Sequence, residues 1–316
     1  MSGRGLTRRG LLAGAMVAGS SGRLWGQPVQ TVEGATVMET GTDRFHVAEL
    51  KLPFTHPDAT GPLADYRIRI AWPKGPTPDR GFPAVHVLDG RAAAASLTAA
   101  EMDALADMGS IAIVAHGHDN VDRFSTTERV LAYTPPAPDG GPVTDPRGRI
   151  GGGADGYLGM LTGTILPRVE ALAPLDPSRR TLWGHSFAGL FVLQAALFRQ
   201  APFARFVAAS PSLWWDHATY FQRCLDRLRD GYEMPPVLDL HAGSAERARA
   251  SRPENPNAQL LVQMREALPE GAFDDLATAV RAAGLHGETE VFDGLSHGET
   301  FARSLRVTLE AAARAA

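Results

Sequence analysis

The chain has 316 residues, 44% of them hydrophobic, and a formal net charge of −4. That is enough apolar material for one large core in a single α/β domain. The acidic balance offers no electrostatic footprint for nucleic acid, and the one cysteine, Cys224, excludes an intramolecular disulfide. Within 220–228, positions 221, 224, 225 and 228 share one helical face, so Cys224 reads as a small buried residue, not a reactive thiol.

Thr7-Arg8-Arg9-Gly10-Leu11-Leu12 is a twin-arginine signature, followed over 11–21 by a weakly apolar stretch rich in Gly and Ala. That stretch is too short to span a bilayer. Residues 1–27 are therefore expected to be an export signal, read by the twin-arginine translocase and cleaved between Ala18 and Gln27. Its destination would be the periplasm, reached in folded form. No other segment is a transmembrane candidate, so the mature chain, 28–316, is expected to carry no membrane span.

After the signal, 43–52 and 65–72 read as antiparallel edge strands on either side of the Pro/Gly-rich turn 53–62. A buried strand at 82–88 ends in Asp89-Gly90, an Ala-rich helix is predicted over 92–108, and the next buried strand over 110–115. A loop of about 37 residues, 116–152, then interrupts the alternation, a length usually tied to function or disorder. Helices at 154–172, 187–199, 215–229, within 257–284 and at 299–314 alternate with strands at 180–184, 205–209, 236–241 and 288–293. Repeated β–α units of this kind specify a mainly parallel sheet covered by helices on both faces.

The junction Gly184-His185-Ser186-Phe187-Ala188-Gly189 falls between the strand at 180–184 and the apolar run 190–197. A serine between small residues on such a turn is the nucleophile elbow of the α/β-hydrolase fold, with Ala188 where the pattern has Gly. A serine hydroxyl needs a base to take its proton and a carboxylate to orient that base, in chain order Ser, Asp/Glu, His. His297, between the last strand and the last helix, is the candidate base; His86 and His241 lie within strands and His185 points away from the serine. Glu246, just past the strand at 236–241, is the candidate acid. Asp239, inside the strand, would have to face the core or the sheet's other side; Asp274, Asp275 and Asp293 are the fallbacks, and a Ser186–His297 dyad is the alternative. The oxyanion donors are expected at Phe187 N–H and in Asp89-Gly90-Arg91. Nothing in the sequence calls for a metal or organic cofactor.

Leu88-Asp89-Gly90, Gly152-Gly153-Ala154-Asp155, the run 175–191 and above all Ser210-Pro211-Ser212-Leu213-Trp214-Trp215 resemble the siderophore esterases. These are esterase D-like α/β hydrolases acting on trilactones such as enterobactin, salmochelin and bacillibactin. The likeness spans about 40–310. It implies Ser186 as nucleophile and His297 as base, and matches Gly243-Ser244-Ala245-Glu246 to a segment whose glutamate has a variable role. The chain departs from the family at Ala132, where an Asp commonly precedes Thr-Pro, and at Arg91, where Asn follows Leu-Asp-Gly. Trp214 and Trp215 are expected to stack on substrate aryl groups, and Arg91, Arg123 and Arg129 to attract an anionic ferric siderophore. The expected partner is thus a small ester, a ferric siderophore first. The rivals are a general carboxylesterase or acyltransferase, and a binding protein with vestigial catalytic groups.

Overall fold

The computed structural model describes residues 31–56, 59, 61–246 and 256–316. The expected export signal lies outside the described residues. The strands in chain order are β1 (Phe45–Leu52), β2 (Tyr66–Pro73), β3 (Phe82–Val87), β4 (Ala112–His118), β5 (Val143–Thr144), β6 (Ile150–Gly151), β7 (Leu175–His185), β8 (Arg205–Ala209), β9 (Leu238–Gly243) and β10 (Thr289–Phe292). Eight of them form one sheet in the order β1-β2-β4-β3-β7-β8-β9-β10, while β5 and β6 pair as a separate hairpin. Within the large sheet β2 runs antiparallel to β1 and β4 and the other pairings are parallel. The chain is a single-domain α/β hydrolase, as expected.

Helices α1 (Val37–Thr40), α2 (Gly90–Ala95), α3 (Ala99–Met108), α4 (Thr126–Tyr133), α5 (Ala154–Met160) and α6 (Leu166–Leu172) precede the elbow. After it come α7 (Phe187–Leu193), α8 (Thr219–Arg229), α9 (Pro256–Glu266), α10 (Ala272–Ala282) and α11 (His297–Arg314). Side chains alternate across a strand, so each central strand feeds two cores. Phe82 and Ala84 of β3 join one core, which takes in α4 to α8 and α10; Val85 and Val87 join the other, with α1, α2, α3 and α11. Cys224 of α8 is fully buried, and burial pushes its thiol up to about 12. Among the described residues no helix is long and apolar enough to cross a membrane.

Four elements differ from the sequence expectation, each for a local reason. The helix expected over 92–108 is two, because Thr98 and Glu101 close a capping box that starts α3 afresh. The loop expected over 116–152 contains α4 and the β5–β6 hairpin, and β4 runs on to His118. Asp216, His217 and Ala218 all have positive φ (52°, 50° and 64°), so α8 begins at Thr219 and not at 215. Finally, α5 passes into α6 through a π turn, Leu161–Ile165, ahead of Pro167, which has no N–H to donate.

Candidate active site

β7 ends at His185 and α7 begins at Phe187, which leaves Ser186 alone on the turn with φ 65° and ψ −116°. This is a costly conformation for a residue with a side chain, held by Ser186 N–H donating to Ala209 O at 3.0 Å and by Ser186 O accepting from Ser212 N. The turn demands Gly184. A Cβ there would sit 2.4 Å from Ala188 O and 2.9 Å from Ala188 Cβ. Since Gly184 has no side chain, the methyl of Ala188 finds room, which accounts for Ala in a place where the elbow pattern has Gly.

His297 is the first residue of α11, whose N-terminus is set by the Ser296–Glu299 capping box. Its Nδ1 lies 2.9 Å from Glu246 Oε2. With Nδ1–H donating to the carboxylate, Nε2 is free to accept a proton. Glu246 emerges from the turn after β9, and its other oxygen, Oε1, accepts from Ser210 Oγ at 2.5 Å and from Gly243 N–H at 2.7 Å. Burial pushes the Glu246 carboxyl up, but the His297 imidazole, Ser210 and Gly243 outweigh it, and the net shift is downward. Ser186 Oγ itself is hydrogen-bonded to Ser212 Oγ at 3.0 Å, not to His297.

Asp239 and the fallback carboxylates have other partners or places. Asp239 binds Arg205 in a bidentate pair and accepts from Glu288 N–H; Asp293 accepts from Ser244 Oγ; Asp274 and Asp275 sit in the first turn of α10. His241 lies under α11, bonded to Ser304, and His86 pairs with His116 in the core.

After β3, Asp89 takes a left-handed conformation (φ 53°, ψ 48°) and Gly90 opens α2. A Cβ on Gly90 would lie 2.7 Å from the main-chain carbons of Ala115 and His116, so only glycine lets this turn rest on β4. Gly90, Arg91, Gly117, Arg123 and Ser125 line a narrow cleft beside it. The Arg91 side chain is committed within the protein. It is buried and donates to Glu39, Val32 O and Gly34 O. Arg129 is spent on Asp89 with two bonds of 2.8 Å. Trp215 is fully buried and donates to Pro135 O, which removes it from substrate contact. Trp214 is half-buried between Phe187, 5.6 Å away, and Arg265.

Three residues escaped the sequence reading. Ser210 and Ser212, two positions apart, reach Glu246 and Ser186 respectively. His185 does not merely face away from the serine, because its ring stands 4.6 Å from that of His297 and its Nε2 meets the His297 carbonyl at 2.9 Å. The Ser-Pro-Ser segment was visible as a motif, but only the fold shows what its hydroxyls touch. Among the described residues no cluster of His, Cys, Asp and Glu forms a metal site.

The Esterase family model matches residues 62–311. The siderophore enterobactin esterase of Emericella nidulans is 30% identical over 199 residues, covering 57% of this chain and 65% of its own length. The ferri-bacillibactin esterase BesA of Bacillus subtilis is 29% identical over 215 residues (65% and 74%). The apo-salmochelin esterase of Escherichia coli O6:H1 is 30% identical over 197 residues (61% and 59%). The chain thus spans less than two thirds of the length of the first and third of these relatives. Among solved structures, the enterobactin hydrolase IroE complex with DFP has a TM-score of 0.65 at 26% identity, covering 88% of this chain and 98% of that one. The siderophore hydrolase EstA from Aspergillus nidulans, at 23% identity, shares the fold with a TM-score of 0.67 over 85% and 94%.

Proposed function

This chain belongs to the Esterase family, and from that premise we propose that it is a serine hydrolase opening the ester bonds of a siderophore. The observation that carries the serine mechanism is the Glu246–His297 pair beside a serine held at φ 65° on a strand–helix turn. The siderophore is supported by relatives named as enterobactin, ferri-bacillibactin and apo-salmochelin esterases.

In this reading the Ser186 hydroxyl swings from Ser212 to His297 Nε2, gives up its proton and attacks the ester carbonyl. The negative charge that develops on the carbonyl oxygen is met by Phe187 N–H and a backbone donor of the Gly90-Arg91 turn. Collapse forms the acyl-serine, and His297 returns the proton to the leaving alkoxide. Water, deprotonated by the same imidazole, then releases the acid. Glu246 stays ionised throughout and stabilises the imidazolium. Export through the twin-arginine translocase to the periplasm belongs to the same proposal, on the strength of Arg8-Arg9 and the stretch behind them.

The test is Ser186→Ala, assayed on apo and ferric enterobactin and on p-nitrophenyl butyrate, with circular dichroism to verify folding. Turnover is expected to fall by several orders of magnitude on every substrate. Retention of more than a few per cent would reject the nucleophile. A second reading, a general esterase of small acyl or aryl esters, is favoured by one observation: Arg91 and Arg129 are both consumed by carboxylates instead of facing an anion. Nitrophenyl ester turnover without any trilactone hydrolysis would select it.

A further inference from the structure

Ser212 meets the proposed nucleophile twice. Its N–H donates to Ser186 O at 3.2 Å, and its Oγ lies 3.0 Å from Ser186 Oγ. The residue is 2% exposed and held on both sides. Pro211, before it, packs against Gly189 of α7, where a Cβ would come 3.0 Å from Pro211 Cα, and Ser212 O accepts from Trp215 N–H at 2.9 Å. Ser210, two residues earlier, donates its N–H to His241 O at 2.7 Å and its hydroxyl to Glu246. Among the described residues, Ser186 Oγ is the one hydrogen-bond partner of Ser212 Oγ.

Resting on the serine-hydrolase reading above, we propose that Ser212 is a positioning residue that latches the nucleophile in the free enzyme. The Ser186 hydroxyl rests on Ser212 Oγ and is released to His297 when an ester is bound. A serine hydroxyl carries one proton and moves by turning about χ1, so reaching for the base takes it off Ser212. That departure breaks one hydrogen bond and leaves a buried hydroxyl without a partner, which is the costlier half of the exchange. The latch therefore lowers the fraction of free enzyme that is ready to react, whatever the ester. The rival role is a lasting donor that stabilises charge on Ser186 Oγ during acyl transfer. It is disfavoured because the bond to Ser212 stands in place of one to His297, not beside it.

Removing the latch should make the enzyme faster, which loss of a structural contact would not do. Ser212→Ala is expected to raise the second-order rate of inactivation by diisopropyl fluorophosphate about fivefold, the weight of one hydrogen bond. kcat/KM for p-nitrophenyl butyrate and for a siderophore trilactone should rise by the same factor, through a lower KM with kcat within about twofold. Ser212→Thr keeps the hydroxyl and should stay within about twofold of the parent in both measurements. A fall in both constants for Ser212→Ala would overturn the inference in favour of the lasting donor. Unchanged constants would show that the contact carries no weight, and a Ser212→Thr as fast as Ser212→Ala would trace the gain to altered packing; either result overturns the latch. If Ser212→Ala does not fold, Ser212→Cys, whose thiol bonds weakly, is expected to raise both constants about threefold, and a fall or no change overturns the inference. Parent rates in Ser212→Ala beside an inert Ser186→Ala reject this inference alone; a Ser186→Ala that still turns over ester and reacts with the fluorophosphate rejects the reading beneath it.

Discussion

His185 Nε2 donates to the main-chain carbonyl of His297 at 2.9 Å, so the residue before the proposed nucleophile holds the backbone of the proposed base. A carbonyl can only accept, which fixes the proton on His185 Nε2. Burial, with His297 and Arg129 nearby, keeps the His185 ring neutral. His185 is thereby a clamp between β7 and α11.

His185→Phe keeps an aromatic ring against Phe301 and deletes the donor. The expected result is a kcat about tenfold lower at unchanged KM, since the base is displaced by a fraction of an ångström. Steady-state kinetics on a nitrophenyl ester measures this; a change under twofold would mean that the α11 capping box positions His297 unaided.

Glu246→Gln preserves shape and removes charge. If the carboxylate orients His297 and stabilises its imidazolium, kcat should fall by roughly 10²–10⁴. A loss of only two- or threefold would point to a Ser186–His297 dyad, with Glu246 serving mainly to bind Ser210 and Gly243 N–H.

Stability should depend on pH through buried histidines. Burial lowers His116 and His118 to about 3 and His241 to about 4. Their unfolded pKa values lie near 6.5, so below that pH the unfolded chain binds protons that the folded one refuses. The stabilisation is complete above about pH 6.5 and is lost as pH falls toward the folded values. Each ring should forfeit roughly 2 kcal/mol between pH 7 and pH 5. Urea midpoints should therefore drop markedly over that interval, and His118→Leu should make the slope shallower. A midpoint independent of pH would contradict the account.

Trp214, half-buried beside Phe187, is the member of the Trp pair left with exposed surface. Stacking on a catecholate ring contributes on the order of 1 kcal/mol. Trp214→Ala is expected to lower kcat/KM for a ferric siderophore about tenfold and to change nitrophenyl butyrate turnover little. Equal losses on both would assign Trp214 to the support of Phe187.

Elements with a strong local signal were legible in the chain. The apolar runs of β3, β4 and β8 and the Gly184–Gly189 elbow were readable because a buried parallel strand leaves almost no polar positions. Glu246 and His297 were readable because their places, just past strands, follow from chain order. The break at Thr98 was missed although Thr98-Ala99-Ala100-Glu101 carries a capping box, since the surrounding alanines read as continuous helix. Helix α4 was missed inside a Pro- and Gly-rich segment. What could not be read was mutual contact: nothing local to Arg91 reveals Glu39, and nothing local to Ser210 or Ser212 reveals which hydroxyl meets which end of the site. Arg129 looked like a loop charge for the same reason. Its partner lies 40 residues away.

The lone thiol of Cys224, sealed in α8 and held protonated, means that this fold owes nothing to oxidation. No disulfide has to form before the core closes, so the chain can reach its final shape in a reducing cytoplasm. A translocase that carries finished cargo, as proposed from Arg8-Arg9, would find it already assembled. Once outside, the enzyme should be indifferent to the redox poise of its surroundings. Dithiothreitol and thiol-alkylating reagents should leave both its activity and its melting behaviour as they were.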